Sequence, residues 1–151
     1  MLNSPELLQK LRPFSIENLE DIGDILQYAL PWAALLALAL QGDVRAAQNW
    51  TYAGLSTTAL THLLKLIFNF TPLGRRPNGS SYSFPSGHTS SAFMGAAFVH
   101  FQFGFPWAIA PYLLAGLTGY SRIWAKEHWV RDVIAGAALG IGMVYLFLAT
   151  R

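Results

Sequence analysis

From Thr89 to Ser121 the chain carries no charged residue. A stretch that long with no charge has no polar face to turn to water, so its backbone must be satisfied internally and its side chains must meet an apolar solvent or a protein core. A spanning helix needs about 20 mostly apolar residues for a hydrocarbon core about 30 Å thick. Gly104-Phe105-Pro106 breaks this stretch and predicts two helices, each short for a full span. Three further apolar runs lie at Ile22–Leu40, with Asp24 near its start and Pro31 inside it, at Trp50–Phe70, with Lys65 near its end, and at Val133–Ala149. Pro31 is expected to kink or restart its helix. Gly136, Gly140 and Gly142 are spaced to let another helix approach closely. The expected architecture is therefore an all-α integral membrane bundle of about five transmembrane helices, and a soluble bundle is rejected. Composition agrees: 53% of residues are apolar and 12% charged, against roughly 25% charged in soluble domains.

Residues 1–21 are more polar and are expected to form an interfacial segment. Ser4-Pro5-Glu6 predicts the start of a short amphipathic helix, and Ser15 could cap a second that runs into the first apolar stretch with its acidic face in water or headgroups. No cleavable leader is evident. One membrane-embedded domain over residues 1–151 is expected. With no cysteine, thiolate zinc sites and cysteine nucleophiles are excluded.

Charge is unevenly spread. Five of the eight acids fall between Glu6 and Asp24, and none lies between Asp43 and Glu127, where Arg45, Lys65, Arg75, Arg76, Arg122 and Lys126 stand. This reads as an unneutralised cationic field whose partner is an anion. If five helices alternate, segments 71–88 and 121–132 emerge on the side of the N-terminus. The first contains Arg75-Arg76-Pro77 and then Pro85-Ser86-Gly87-His88 just before an apolar helix. Such a helix start offers free N–H groups and a positive dipole end to an anion. The second contains Ser121-Arg122, His128 and Asp132. Four residues apart on a helix, His128 and Asp132 would share a face, with the carboxylate orienting the imidazole. Ionisable groups are costly in a membrane and are usually functional when they converge. His62 and His100 are expected to be structural. A zinc site is the poorer reading, because only His88, His128 and Asp132 offer ligands among repelling cations.

These residues resemble the three-part signature of the type 2 phosphatidic acid phosphatase superfamily, which also holds class A acid phosphatases and vanadium haloperoxidases. The second and third parts, Pro-Ser-Gly-His and Ser-Arg-x5-His-x3-Asp, are present with every spacing intact. The first, Lys-x6-Arg-Pro, departs: Arg76-Pro77 matches, but ten residues separate Lys65 from Arg76, with Arg75 able to assist. The resemblance covers residues 50–149, the expected catalytic core, and the chain is one helix short of the family's usual six. It implies that His128 is the nucleophile, Asp132 orients it and His88 is the acid and base. Lys65, Arg76, Ser86, Gly87 and Arg122 would bind the phosphate, with neither metal nor cofactor. The implied function is an integral-membrane phosphatase acting on a lipid phosphate or diphosphate through a phosphohistidine. A phosphotransferase using the same intermediate, or an inactive lipid-binding protein, is the alternative. The expected partners are a lipid phosphate substrate and membrane lipids, not nucleic acid. Counting Lys and Arg puts the site in the cytoplasm. The resemblance implies instead a bacterial inner-membrane enzyme with its site facing outward, and that is the expectation adopted.

Overall fold

The computed structural model describes residues 16–149, so the helix expected at Ser4-Pro5-Glu6 lies outside the described residues. Five α-helices follow one another: α1 Ile16–Gln41, α2 Val44–Phe68, α3 Gly87–Phe103, α4 Phe105–Trp124 and α5 Val130–Ala149. Among the described residues the regular structure is thus all helical, with one 3-10 turn at Pro72–Gly74 in the long α2–α3 connection.

The boundaries have local causes. Asp43 caps α2 by accepting from Ala46 N at 2.9 Å. The expected break falls where Gly104, at φ +96°, ends α3 and Pro106 opens α4.

Pro31 does not divide the first helix; α1 runs through it as a single element of 26 residues. A proline leaves the carbonyl four residues earlier without its helical donor. Here that carbonyl belongs to Gln27, and Ser91 Oγ of α3 donates to it at 2.6 Å. The Pro31 carbonyl accepts from Trp50 Nε1 of α2 at 3.0 Å. Neighbouring helices thus supply what the proline removes.

α3 is the central helix and packs against the other four. Its buried positions are mostly small, among them Ser90, Ala92, Gly95, Ala96 and Ala97. Small residues let backbones approach where burial of apolar surface gives little drive. On α5, a Cβ at Gly136 would come within 2.5 Å of Ser86 O, and one at Gly140 would collide with Ser90 O. Gly142, expected to share this role, has nothing within 4 Å.

Large apolar side chains cover the outside as well: Leu40, Leu55, Trp107, Leu113 and Leu146 are exposed. Contiguous apolar exposure on this scale suits a bilayer rather than water. Two helices, over Asn18–Gln41 and Val130–Leu148, are long and apolar enough to cross. α3 has 17 residues, about 25 Å of rise. α2 carries Thr57, Thr58, Thr61, His62 and Lys65, which lower its apolarity.

Candidate active site

The α2–α3 and α4–α5 connections meet at the end of the bundle where α1 begins. Asn78 N donates to Lys126 O at 3.2 Å, Ser86 N to Asp132 O at 2.9 Å, and Trp129 Nε1 to Arg75 O at 2.9 Å. Inside the first connection, Asn78 Oδ1 accepts from Ser80 N at 3.0 Å, and Gly79 takes φ +90° to close the turn. Tyr82 stands at φ +62°, an unusual value for an aromatic residue. It is held from both sides, by Asn69 Oδ1, which accepts from Tyr82 N at 3.1 Å, and by Lys65 Nζ, which donates to Tyr82 O at 2.6 Å.

A cavity of about 330 Å³ opens at this junction, and its wall includes Lys65, Arg76, Gly87, His88 and His128. Five of the eight residues singled out from sequence thus face one space. The other three stand behind it. Ser86 is fully buried as the cap of α3, its Oγ accepting from Thr89 Oγ1 at 2.9 Å. Asp132 backs His128, and Arg122 lies toward α1. Arg75 lines a different cavity, of about 660 Å³, with Arg131.

His128 and Asp132 are not on one helix as expected. α5 starts at Val130, so His128 sits in the turn before it and Asp132 in its first turn. Asp132 Oδ2 accepts from Trp129 N at 2.9 Å and from Ser83 Oγ, which fixes the carboxylate. His128 Nδ1 lies 3.6 Å from the same oxygen and is buried without a hydrogen-bond partner, so the two groups are aligned just beyond hydrogen-bonding range. Burial lowers the His128 pKa below its ordinary 6.5, the nearby Lys65 and Arg76 charges lower it further, and Asp132 opposes them. The imidazole is therefore neutral at physiological pH, the state a nitrogen nucleophile needs.

The cationic field is neutralised in part: Arg122 and Arg76 find acids, and α1 turns the partly exposed Asp24 and Glu20 toward the first of them. Asp24 Oδ1 lies 2.8 Å from Arg122 Nη1 and 3.0 Å from His88 Nε2. Glu20 adds its carbonyl, which accepts from Arg122 Nη2 at 2.6 Å, and its carboxylate at 3.6 Å. Gly23 makes room for this approach, since a Cβ there would run into Ser121 Oγ and reach 3.0 Å from Arg122 Nη2. Arg76 pairs with Glu127, whose other oxygen accepts from Asn78 Nδ2 at 2.9 Å. The acids lie outside the cationic stretch in sequence, and the fold brings them back.

Sequence reasoning passed over Asp24, Glu20, Ser83 and Glu127. It also treated His62 as structural, whereas His62 is exposed and lines the cavity. His100 does have a structural setting: Nδ1 lies 3.2 Å from the Tyr112 hydroxyl and the ring stacks on Phe101.

The sequence pattern of the PAP2 superfamily matches residues 31–151. The lipid A 4'-phosphatase of Helicobacter pylori is 31% identical over 137 residues, which cover 85% of this chain and 69% of that protein. The undecaprenyl-diphosphatase BcrC of Bacillus subtilis is 30% identical over 138 residues, 82% of this chain and 69% of that one. The crystal structure of LpxE from Aquifex aeolicus superposes with a TM-score of 0.76 at 25% identity, covering 95% of this chain and 92% of that one. The chain spans between 16% and 69% of the length of the curated relatives it matches.

Proposed function

The chain belongs to the PAP2 superfamily, and from that premise we propose that it is an integral-membrane phosphatase hydrolysing a lipid phosphate or diphosphate through a phosphohistidine. The observation that carries the reading is the convergence of a buried neutral imidazole, a second imidazole and two cations on one cavity of about 330 Å³. Exposed apolar side chains around the bundle support a membrane setting. The names of the Helicobacter and Bacillus relatives support a lipid carrying a phosphate or diphosphate as substrate. The full 1–151 chain acts as one domain in this reading.

In the first step the His128 ring nitrogen remote from Asp132 forms a bond to phosphorus while the bond to the lipid oxygen breaks, and His88 gives that oxygen its proton. Asp132, fixed by Ser83 and Trp129, orients His128 and faces the positive ring that forms. In the second step His88 takes a proton from water, the water oxygen bonds to phosphorus and the phosphorus–nitrogen bond breaks, releasing inorganic phosphate. Lys65, Arg76 and the Gly87 N–H hold the non-bridging oxygens and stabilise charge in the transition state, and Arg122 joins them once its Asp24 partner gives way. Ser86 contributes by capping α3 and keeping that N–H aimed at the cavity.

The test is phosphate release from a lipid phosphate in detergent, with trapping of an acid-labile, alkali-stable phosphoenzyme. His128→Ala should abolish both and leave the protein folded. Activity within tenfold of the parent would remove His128 as nucleophile. We further propose a site facing outward from the bacterial inner membrane, as the family resemblance implies. In this cysteine-free chain, Ser81→Cys should react with an impermeant maleimide on intact spheroplasts, and labelling only after permeabilisation would reverse the orientation.

A further inference from the structure

The active-site cavity does not end at the catalytic groups. Gln27, Tyr28, Thr57, Thr58 and Ser91 line both it and a second cavity of about 540 Å³ that runs between α1 and α2. The second cavity changes character along its length. Near the site its walls are Gln27, Thr57, Thr58 and Ser91, and further away they are Leu55, Met94, Trp32 and Trp50. Tyr28 and Leu55, both largely exposed, flank its open side. At the far end Trp32 and Trp50 meet with ring centroids 5.6 Å apart, and Trp50 is pinned by its bond to Pro31 O at 3.0 Å. The α2 lining runs from Trp50 to Ala59, about 14 Å of helix rise.

We propose that this cleft seats one apolar chain of the lipid substrate, and that the Trp32–Trp50 pair ends it, so the protein selects substrates by chain length. This rests on the phosphatase reading of the adjoining cavity. The occupant follows from continuity: a phosphate held at Lys65 and Arg76 places its ester oxygen at the polar mouth and leaves the apolar remainder of the same molecule beside the cleft. Selection works by exclusion rather than by affinity. Bilayer hydrocarbon is as apolar as Leu55 or Met94, so seating a chain gains packing but little hydrophobic free energy. A chain longer than the cleft meets the indole wall and pulls the phosphate away from His128, and small misplacements at a reacting centre are costly.

Two substitutions test the wall from opposite sides. Gly54 lines the cleft, and a Cβ there meets only the terminal methyl of Met94, at 2.9 Å, which can swing aside. Gly54→Leu therefore shortens the cleft, and Trp32→Ala opens its end. Phosphate release is measured on diacyl phosphatidic acids from dihexanoyl to dibehenoyl in mixed micelles. Gly54→Leu should lower the didecanoyl-to-dihexanoyl ratio of kcat/KM at least about tenfold, and Trp32→Ala should move the optimum to longer chains. A chain-length profile unchanged in both variants would make the cleft a resting place for bystander lipid and overturn the proposal. If Gly54→Leu fails to fold, it loses dihexanoyl substrate too, and the Trp32→Ala profile decides alone. Release from none of the series by the parent protein would strike the phosphatase reading itself, and this proposal with it.

Discussion

Asp24→Asn is the substitution whose outcome the geometry fixes most sharply. One oxygen of Asp24 accepts from both Arg122 and His88, two groups that a substrate oxyanion would use. If Arg122 and His88 take a phosphate oxygen as proposed, a dianionic phosphate must displace this carboxylate. Charge-assisted hydrogen bonds contribute about 1.5–3 kcal/mol each when desolvated, whereas exposed ion pairs contribute about 0–1. The Asp24 side chain is 48% exposed while Arg122 is 3% exposed, so a total near 1–2 kcal/mol is appropriate. An amide keeps the shape and removes the charge. Orthovanadate, an oxyanion that accepts a fifth ligand from a nitrogen, should then inhibit roughly 5–30-fold more tightly. Turnover should fall, because phosphate leaves more slowly from a site that no longer has a competing anion. The assay is the inhibition constant of vanadate, and separately of inorganic phosphate, against phosphate release by parent and variant. Unchanged or weaker inhibition would refute displacement and make Asp24 a permanent partner holding Arg122 and His88 in place.

His88→Ala should still form the phosphoenzyme from an aryl phosphate, whose leaving oxygen needs little protonation, but should turn over slowly; equal losses for aryl and alkyl substrates would remove the acid role. Lys65→Met should weaken vanadate binding at least about tenfold, the loss of one charge-assisted contact. It should also raise the acid limb of kcat/KM, because the Lys65 charge is one of the causes that lower His128 below 6.5. His128 must be neutral to attack, so the limb marks its protonation, and comparison on one substrate cancels the substrate's own titration. A limb that stays in place or moves to lower pH would separate Lys65 from His128. Chelators should leave activity unchanged, and inhibition reversed by one divalent metal would overturn the phosphohistidine mechanism as written.

What the sequence made legible follows the range over which each signal acts. The α3–α4 break could be placed because a positive-φ glycine and a helix-opening proline are neighbours at Gly104 and Pro106. The close approach of α5 to α3 was readable from Gly136 and Gly140, since a missing side chain is itself the signal, though Gly142 carries the same signal and meets nothing. How the helix continues through Pro31 was not legible, because it involves Ser91, a residue of another helix, which donates to the carbonyl the proline strands. The dyad of His128 and Asp132 was read as two positions on one helix; the helix in fact starts between them, and the cap-like bond from Trp129 N to Asp132 determines where. Asp24 and Arg122 are 98 residues apart, and Arg76 and Glu127 51. No periodicity links such pairs, so counting charge along the chain missed that the folded protein sets two of these cations, Arg122 and Arg76, against acids.

That neutralisation is of two kinds, and the difference sets the last prediction. Asp24 is half-exposed and bridges Arg122 and His88, two groups proposed to meet the substrate. Glu127 is 25% exposed and is held on its second oxygen by Asn78, in a loop tied through Asn78 N to Lys126 O. A phosphate is therefore expected to evict Asp24 but not Glu127, whose expected part is to aim Arg76 rather than to compete for it. Glu127→Gln should act opposite to Asp24→Asn. It frees Arg76 to adopt other rotamers, so vanadate should bind more weakly, by several-fold, while stability changes by no more than about 1 kcal/mol for a partly exposed pair. Measured together, the two variants divide the acids around this site into one that phosphate replaces and one that prepares its seat. Tighter vanadate binding in Glu127→Gln would show that both carboxylates compete with substrate and that Arg76 needs no aiming.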